Sequence, residues 1–319
     1  MRVLVTGGTG YLGRAIVRTL AARGHEPVIF ARRATSGGLP GRAIDGDVRD
    51  AAALVDAARG CEACCHSAAL VSIWRRRRED FDDVNVGGLE HAIAAVRETG
   101  ITRFVYTSSF LARPPRGRTD PIAANDYQRT KVLADRVARA ARERGSPIVR
   151  LYPGVIYGPG VDSEGNLVGR LLRDHAAGRL PGLIGPDRIW SFSWIDDVAG
   201  AHVAALEHDT PAPEYELGGE NAPLVRAFEL AAAKGFKAPP RTLSYWLSEA
   251  IGAAEVARVK MFGGSPLVTR GTVEIFRHDW PVGHAEAARD LAFAVTPLST
   301  GVARTLEELQ AVSGRNPST

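Results

Sequence analysis

The chain has few cysteines and no long apolar segment. Its three cysteines, Cys61, Cys64 and Cys65, lie within one short stretch of the 319 residues. Cys61-x-x-Cys64 has the spacing of redox and zinc sites, but no second pair of ligands accompanies it, so we predict a buried strand here and no metal site. Three thiols without a secretory signal predict a cytoplasmic protein. No apolar run approaches the roughly 20 residues that span a bilayer, so we expect no integral membrane segment.

The chain also lacks a long block of one charge. Its 40 basic and 36 acidic residues leave a net charge of +4, and the main basic run is four arginines at residues 75–78. No aromatic residues alternate with these arginines, so we predict a solvated loop and no nucleic-acid partner. An anionic cofactor or a membrane surface is the alternative partner for this run.

The most informative segment is a glycine-rich turn near residue 10. Residues 2–6 (RVLVT) have the pattern of a buried strand, residues 7–13 (GGTGYLG) follow, and residues 14–20 have a helical pattern. Glycines let the backbone turn tightly and approach a pyrophosphate, and the N-terminus of the helix offers free N–H groups and a positive dipole end. We therefore predict a dinucleotide site rather than an ordinary βα turn, formed by Gly7, Gly10, Tyr11, Leu12 and Gly13.

The second predicted strand lacks a carboxylate at its end. Residues 27–30 (PVIF) lead into Ala31, Arg32 and Arg33. An acidic residue about 20 positions past the glycines usually holds the ribose hydroxyls, whereas a guanidinium suits a 2′-phosphate and stacks on adenine. We therefore predict that Arg32 favours NADP(H). NAD(H) is the alternative if this arginine only stacks on the adenine ring.

The third predicted strand ends in the sequence DGDV at residues 45–48. This placement predicts that Asp47 meets the adenine amino group and that Val48 lies beneath the adenine ring. The alternative is that Asp47 belongs to a surface loop with no contact to the cofactor.

Strand and helix patterns alternate through the first half of the chain. Alternation of this kind predicts an α/β Rossmann fold, a doubly wound parallel sheet with helices on both faces. After about residue 153 the alternation stops, and helices dominate with isolated strands near 190–194 and 214–217. We predict a dinucleotide-binding domain over 1–153 and about 188–208, and a smaller substrate-binding region over about 154–187 and 209–319, with a frayed tail at 314–319.

Tyr127 and Lys131 open a predicted helix and lie four residues apart, on one helical face. A lysine ammonium near the phenol would lower its pKa from about 10, so that Tyr127 passes a proton to or from an alcohol oxygen. Ser108 and Ser109 end a predicted strand at the edge where open α/β sheets bind ligands. These residues predict a catalytic group for chemistry at an alcohol or a carbonyl.

The chain resembles the extended short-chain dehydrogenase/reductase family essentially end to end. Besides the glycine turn and the Tyr-x-x-x-Lys pair, the likeness rests on residues 46–50 (GDVRD), 66–69 (HSAA), 85–88 (NVGG), 150–160 (RLYPGVIYGPG) and 194–199 (WIDDVA). Within this family the chain is most similar to the dihydroflavonol-reductase-like branch, especially proteins described as farnesol dehydrogenases. That finer likeness rests on residues 106–110 (YTSSF), 165–168 (GNLV) and 178–182 (GRLPG).

The resemblance implies roles for particular residues. Tyr127 would be the acid/base, Lys131 would hold the nicotinamide ribose and tune Tyr127, and Ser109 would hydrogen-bond the substrate oxygen, with Ser108 as the alternative. Pro153 and Val155 would border the nicotinamide amide, and Ala68 would belong to the cofactor-binding residues. His66 and Asn85 are expected to secure backbone near the site.

The predicted substrate pocket is mostly apolar, which favours a hydrophobic alcohol or carbonyl of prenyl, steroid-like or flavonoid-like type. Its expected lining is Trp74, Phe110, Leu111, Tyr157, Asn166, Trp190 and Phe192. One alternative is a nucleotide-sugar epimerase or dehydratase with tightly bound NAD, and a lesser one is a dinucleotide-binding sensor without turnover. Either a monomer or a homodimer is compatible with the sequence.

Overall fold

Twelve strand segments are found in the computed structural model, which describes residues 1–161 and 163–314. They are β1 (Arg2–Thr6), β2 (Glu26–Ala31), β3 (Arg42–Asp45), β4 (Ala63–His66), β5 (Arg103–Thr107), β6 (Ile148–Pro153), β7 (Val155–Tyr157), β8 (Leu183–Ile184), β9 (Ile189–Trp194), β10 (Glu214–Leu217), β11 (Glu220–Pro223) and β12 (Thr242–Leu243). The part of the predicted tail at 315–319 lies outside the described residues.

Helices connect most of these strands. They are α1 (Tyr11–Ala22), α2 (Ala51–Ala58), α3 (Glu79–Asp82), α4 (Gly88–Thr99), α5 (Asp126–Glu143), α6 (Leu167–Ala176), α7 (Ile195–Glu207), α8 (Arg226–Ala232), α9 (Tyr245–Phe262), α10 (Arg270–Ile275), α11 (Ala285–Leu291) and α12 (Leu298–Gly314). A π-helical turn, Asp83–Gly87, joins α3 to α4, and a short 3-10 helix, Phe110–Ala112, follows β5.

Seven strands form one parallel sheet in the order β10-β6-β5-β4-β1-β2-β3. The chain therefore runs outward from β1 in both directions, and the order reverses between β1 and β4. Ligands of open α/β sheets bind at such a reversal, outside the carboxyl ends of the strands. The predicted Rossmann fold is confirmed, and the glycine turn after β1 lies at this reversal.

Alternate residues of each central strand enter two different cores. On one face Val3 and Val5 pack in the cluster that contains α1 and α7, and on the other face Leu4 packs with α2, α4 and α5. Both sheet faces are covered, which explains why the strands read as continuous apolar runs rather than alternating ones. Cys64 and Cys65 of β4 are buried on opposite faces and unpaired, as expected for a buried strand.

Two strands pair across the predicted domain boundaries. Strand β10 falls within 209–319, the expected substrate-binding region, yet it is the edge strand of the large sheet and pairs with β6. Strand β9 falls within 188–208, the expected dinucleotide-binding part, yet it lies between β7 and β11 in a separate three-stranded sheet. The pattern of a short strand predicts which residues are buried but does not identify the neighbouring strand, since pairing is decided across the fold.

The turn between β10 and β11 depends on close backbone contact. A Cβ added at Gly219 would lie 1.7 Å from the carbonyl oxygen of Phe192 on β9, so any side chain there must displace a strand. In α7, a Cβ at Gly200 would meet no atom closer than 4.0 Å. A side chain can therefore be accommodated at Gly200 but not at Gly219.

We expect Gly219→Ala to reduce the free energy of unfolding by about 1–3 kcal/mol or more, because the methyl group overpacks a rigid strand contact. Gly200→Ala is the matched control, and it should raise the free energy of unfolding by about 0.5–1 kcal/mol because alanine is the better helix former. Chemical denaturation of the two variants measures both values. A Gly219→Ala protein that unfolds at the wild-type denaturant concentration would contradict the packing argument.

Candidate active site

The glycine turn leaves a concave backbone surface at the end of β1. Gly7 has a φ of +70°, and a Cβ there would lie 2.7 Å from the Ala68 backbone. A Cβ at Gly13 would lie 2.1 Å from the carbonyl oxygen of Gly7, so α1 approaches the turn as closely as it does only because residue 13 has no side chain. This close approach brings the N-terminus of α1 to the carboxyl edge of the sheet.

The N-terminus of α1 carries no side-chain cap. Its N-cap residue is Gly10, and the first intrahelical bond runs from the Arg14 N–H to the Gly10 carbonyl. The N–H groups of the first helical turn, including those of Leu12 and Gly13, therefore have no partner within the helix. Uncapped N–H groups beside a glycine-lined concavity fit a pyrophosphate, so these residues suit the phosphate bridge of a dinucleotide.

The side chain of Tyr11 has a structural contact of its own. Its hydroxyl donates to the Gly158 carbonyl at 2.9 Å, and its ring lies against Gly160. Burial raises the pKa of this phenol. Tyr11 thus ties the glycine turn to the segment after β7, and its backbone remains the part that can face a phosphate.

A loop after β2 presents two guanidinium groups. Arg32 and Arg33 are exposed, and neither side chain has a hydrogen-bond or ion-pair partner among the described residues. The loop is held from β3, because both oxygens of Asp45 accept from Thr35, at 2.9 Å from its N–H and 2.8 Å from its hydroxyl. These bonds lower the pKa of Asp45. The sequence analysis did not predict these Thr35–Asp45 hydrogen bonds, since no sequence motif indicates them.

Asp47 has a partner within its own turn. Its Oδ1 accepts from the Arg49 N–H and Nε, each at 3.0 Å, and its Oδ2 accepts from the guanidinium at 2.7 Å. The Arg49 guanidinium lowers the pKa of Asp47. Val48 packs against Gly88 at the start of α4, and its carbonyl bonds to the His91 ring. The predicted adenine contacts of Asp47 and Val48 stay predictions.

Helix α5 starts at a side-chain cap that also sets the direction of its first turn. The Asn125 side chain accepts from the Gln128 N–H at 2.8 Å, and the Gln128 side chain accepts from the Ala124 N–H at 3.1 Å. This is a reciprocal cap, and the Asn-x-x-Gln spacing is the sequence signal that locates it. The cap places Tyr127 in the first turn and Lys131 one turn later, both facing the end of β5.

The two serines after β5 point to different partners. The Ser109 hydroxyl lies near the Tyr127 phenol and lowers its pKa, and it accepts from the Leu111 N–H at 3.2 Å. The Ser108 hydroxyl instead donates to Asp135 at 3.1 Å, away from Tyr127. The sequence alone could not distinguish these neighbouring hydroxyls. In the structure they have different partners, because successive side chains of an extended chain point in opposite directions.

One electrostatic expectation is wrong. Lys131 was expected to lower the pKa of Tyr127, yet burial raises the pKa of Tyr127 to about 12, opposed only by the nearby Ser109 hydroxyl. The ammonium of Lys131 donates to the Thr107 carbonyl at 2.9 Å, which turns it toward β5. Burial lowers the pKa of Lys131 to about 8. Spacing on a helix face places two side chains together but does not orient the charged end of a lysine.

His66 and Asn85 secure backbone near the site, as expected. Nδ1 of His66 bonds to the Thr6 hydroxyl at 2.9 Å, which links the ends of β4 and β1, and burial lowers the pKa of His66 to about 3. Asn85 accepts from the Leu70 N–H at 2.7 Å and donates to the Thr130 hydroxyl at 2.9 Å. His66 is therefore uncharged at neutral pH, and the side-chain amide of Asn85 is engaged in hydrogen bonds to Leu70 and Thr130.

Three of the expected pocket residues have structural roles instead. Tyr157 is fully buried between Phe192 and Trp194, with ring centroids 6.1 and 5.4 Å away. Asn166 caps α6, accepting from Gly169 and donating to the Gly158 carbonyl. Tyr157, Phe192 and Asn166 are therefore corrected to core and cap residues, because strand pairing and helix capping use the side chains that sequence assigned to a ligand.

An aromatic group lies next to the catalytic strand end. The ring of Phe110, directly after Ser109, packs edge-on against Trp190 at 5.9 Å and Trp280 at 5.5 Å between centroids. Trp190 in turn contacts Phe276 at 4.8 Å. Trp280 and Phe276 were not predicted, since they lie far along the chain in a segment without strand or helix periodicity.

Two of the predicted cofactor-binding residues lie between β6 and β7. Pro153 is buried at the end of β6, and Val155 is buried at the start of β7.

Among the residues that the structure describes, no helix has the length and apolar character to cross a bilayer.

The end of β5 and the first turns of α5 bring Ser109, Tyr127 and Lys131 together at the sheet edge that holds the glycine turn. The arrangement can hold a dinucleotide, and it offers one hydroxyl, one phenol and one buried ammonium for work on an oxygen atom.

The chain is similar to several known proteins. The model of a family described as "NAD dependent epimerase/dehydratase family" matches residues 3–218. Sterol demethylase protein B of Methylococcus capsulatus is 34% identical over 234 residues, which cover 69% of this chain and 70% of that protein. A Synechocystis homologue named dihydroflavonol 4-reductase is 28% identical over 320 residues, which cover 94% of this chain and 92% of that protein. The crystal structure of gox2253 matches with a TM-score of 0.81 at 27% identity over 99% of both chains.

Proposed function

The chain belongs to the NAD dependent epimerase/dehydratase family of extended short-chain dehydrogenases/reductases, and we propose that it interconverts an alcohol and a carbonyl on a hydrophobic small molecule. With relatives named as reductases and dehydrogenases, the chain is an NAD(P)-dependent oxidoreductase. The observation that carries the proposal is that the hydroxyls of Ser109 and Tyr127 lie close together at the sheet edge that holds the glycine turn, with Lys131 on the same helix face as Tyr127.

The residues divide the chemistry as follows. When bound, the nicotinamide supplies or accepts the hydride. Tyr127 exchanges a proton with the substrate oxygen, and the Ser109 hydroxyl orients that oxygen by a hydrogen bond. Lys131, charged below about pH 8, holds the nicotinamide ribose, Pro153 and Val155 border the nicotinamide amide, and Ala68 lies beside the glycine turn.

The protonation state of Tyr127 favours the reductive direction. Because burial raises its pKa to about 12, the phenol keeps its proton throughout the neutral range, which suits donation to a developing alkoxide. Oxidation needs the phenolate and should become faster as the pH rises. We therefore propose carbonyl reduction as the reaction at neutral pH.

Support for a hydrophobic substrate comes from two sources. The rings of Phe110, Trp190 and Trp280 form an apolar cluster beside Ser109, and the relatives are named for sterol and flavonoid substrates. Burying an apolar chain gains about 25 cal/mol per Å². A diphosphate in such surroundings would need charged partners for two buried phosphates, and leaving them unpaired is costly.

We also propose that NADP(H) is the preferred cofactor and the cytoplasm the location. Arg32 and Arg33 have free guanidinium groups where an NAD-binding carboxylate would lie, and the nearby Asp45 is engaged by Thr35. The buried free thiols of Cys61, Cys64 and Cys65 suit a reducing compartment.

NADPH should bind about ten- to a hundred-fold more tightly than NADH, because one charge-assisted contact to the 2′-phosphate is worth about 1.5–3 kcal/mol. Fluorescence titration of both cofactors measures the ratio. Arg32→Ala should remove most of this preference. Arg59→Ala is the control, an exposed arginine paired with Asp56 at the opposite edge of the sheet, and it should keep the preference. Equal affinity for both cofactors in the wild type would leave Arg32 with adenine stacking alone.

Tyr127→Phe keeps the ring and removes the proton donor. Turnover should fall by about two orders of magnitude or more, the usual contribution of a general acid, while cofactor affinity stays close to that of the wild type. Steady-state kinetics and the same fluorescence titration separate the two effects. A variant that keeps most of its turnover would move the acid role to another group.

The neighbouring serines provide an internal comparison for the same experiment. Ser109→Ala should lower kcat by roughly tenfold or more, because the bond that orients the substrate oxygen is lost. Ser108→Ala should lower kcat less, since its hydroxyl faces Asp135. The reverse order of the two losses would assign the orienting role to Ser108.

The substrate class is tested by offering purified protein both kinds of compound. Prenyl, sterol and flavonoid alcohols or ketones should be turned over with added NADP(H), and nucleotide-sugars should not. A reductase must exchange its cofactor in each cycle, so the protein should purify largely without cofactor. Stoichiometric NAD in the purified protein, with epimerisation of a nucleotide-sugar in the absence of added cofactor, would establish the epimerase alternative.

A further inference from the structure

A buried carboxylate lies one helical turn beyond Lys131. Tyr127, Lys131 and Asp135 follow one another at intervals of four residues, so they share one face of α5. Asp135 is only 6% exposed. Its Oδ1 accepts from the Ser108 hydroxyl at 3.1 Å and from the Tyr152 hydroxyl at 2.6 Å. The proposed mechanism gives this group no task, although burying a carboxylate is costly.

The ammonium of Lys131 is itself buried, with the Thr107 carbonyl as its hydrogen-bond acceptor. The titratable groups around it come from four elements. His66 on β4 is neutral at pH 7, because burial lowers its pKa to about 3. The phenols of Tyr106 on β5, Tyr127 on α5 and Tyr152 on β6 are also neutral, because burial raises the pKa of each. None of these four groups offsets the positive charge of the lysine.

Two arginines lie within ion-pair distance of Asp135. Arg150 and Arg139 lie 3.7 Å from Oδ2 of Asp135. Arg150 makes its closer ion pair with Glu214, at 2.5 Å, and Arg113 also pairs with Glu214. On the other side, Asp135 shares the α5 face of Lys131, and its charge favours the ammonium form of that lysine. Removing the charge of Asp135 would leave the buried ammonium of Lys131 without this counter-charge.

We propose that Asp135 is a positioning residue of the active site, whose buried carboxylate, held by the hydroxyls of Ser108 and Tyr152, keeps Lys131 in its charged form. Burial alone pushes Lys131 toward the neutral amine, and the charge of Asp135 opposes this push. The inference rests on the proposed function only for the task given to Lys131, that of holding the ribose. The electrostatic coupling itself does not depend on the substrate.

The composition of the chain makes the charge of Lys131 directly measurable. The chain has four lysines, Lys131, Lys234, Lys237 and Lys260. After incorporation of lysine labelled with ¹³C at Cε, an NMR titration follows each one, and the Lys131→Arg variant identifies the Lys131 signal. The wild-type signal should titrate with a midpoint near pH 8. In Asp135→Asn the midpoint should fall by about one pH unit or more, because the carboxylate that favours the charged form of Lys131 is removed.

Matched variants separate charge from packing. Ser108→Ala removes a hydrogen bond from the same carboxylate oxygen but keeps the charge, so its midpoint should stay within a few tenths of the wild-type value. Asp135→Glu should return the midpoint toward that of the wild type. An unchanged midpoint in Asp135→Asn would overturn the proposal, as would an equal fall in Ser108→Ala. If Asp135→Asn does not fold, Asp135→Ser provides the neutral variant. A wild-type midpoint at or below pH 6 would overturn the proposal without any variant.

A second measurement links the coupling to the active site. In Asp135→Asn the affinity for NADPH should be close to that of the wild type at pH 6 and should fall at least about tenfold by pH 8, where the wild type still keeps much of its lysine charge. A pH-independent loss of affinity would indicate a merely structural role and would contradict the proposal. If no alcohol or carbonyl is turned over, the proposed function fails while the titration of Lys131 still decides the role of Asp135.

Discussion

The contact between Gly13 and the Gly7 carbonyl sets the geometry on which the rest of the site depends. Because neither residue has a side chain, α1 approaches the end of β1 closely enough to direct its N-terminus at the point where the strand order reverses. The Gly7 N–H bonds to the Phe30 carbonyl of β2, and Gly7 lies against Ala68 after β4. The turn is thus clamped between the two strands that flank β1. A larger residue at either glycine would move the helix, and with it the N–H groups that suit a phosphate.

The second constraint is electrostatic. Side chains that act on an oxygen atom must be shielded from water to be effective, yet burial disfavours a charged lysine and favours a protonated tyrosine. Here both effects are present, with the pKa of Tyr127 raised to about 12 and that of Lys131 lowered to about 8. At neutral pH Tyr127 can therefore keep its proton while Lys131 keeps its positive charge. In the proposed coupling, the Asp135 carboxylate, held by the hydroxyls of Ser108 and Tyr152, supplies the negative charge that this buried cation needs.

The segments after β6 complete the site by returning to it. Strand β9 and the segment around Trp280 bring two tryptophans against Phe110, directly beside Ser109. Strand β10 extends the large sheet beyond β6, and its Glu214 pairs with Arg150 behind the catalytic strand. The later part of the chain thus packs buried aromatic rings beside Ser109 and extends the sheet next to β6.

Local sequence patterns determined the elements and the chemical residues, whereas packing between distant segments decided orientation and pairing. The glycine turn, the alternation of strands and helices, and the Tyr127–Lys131 spacing predicted the fold, because these features depend on backbone conformation and on burial along one element. The direction of Ser108, the partner strand of β10 and the structural use of Tyr157 depend on neighbours more than 20 positions away. The ammonium of Lys131 turns to a carbonyl on β5 rather than to Tyr127 for the same reason. Burial and charge act through space, so only the folded chain defines them.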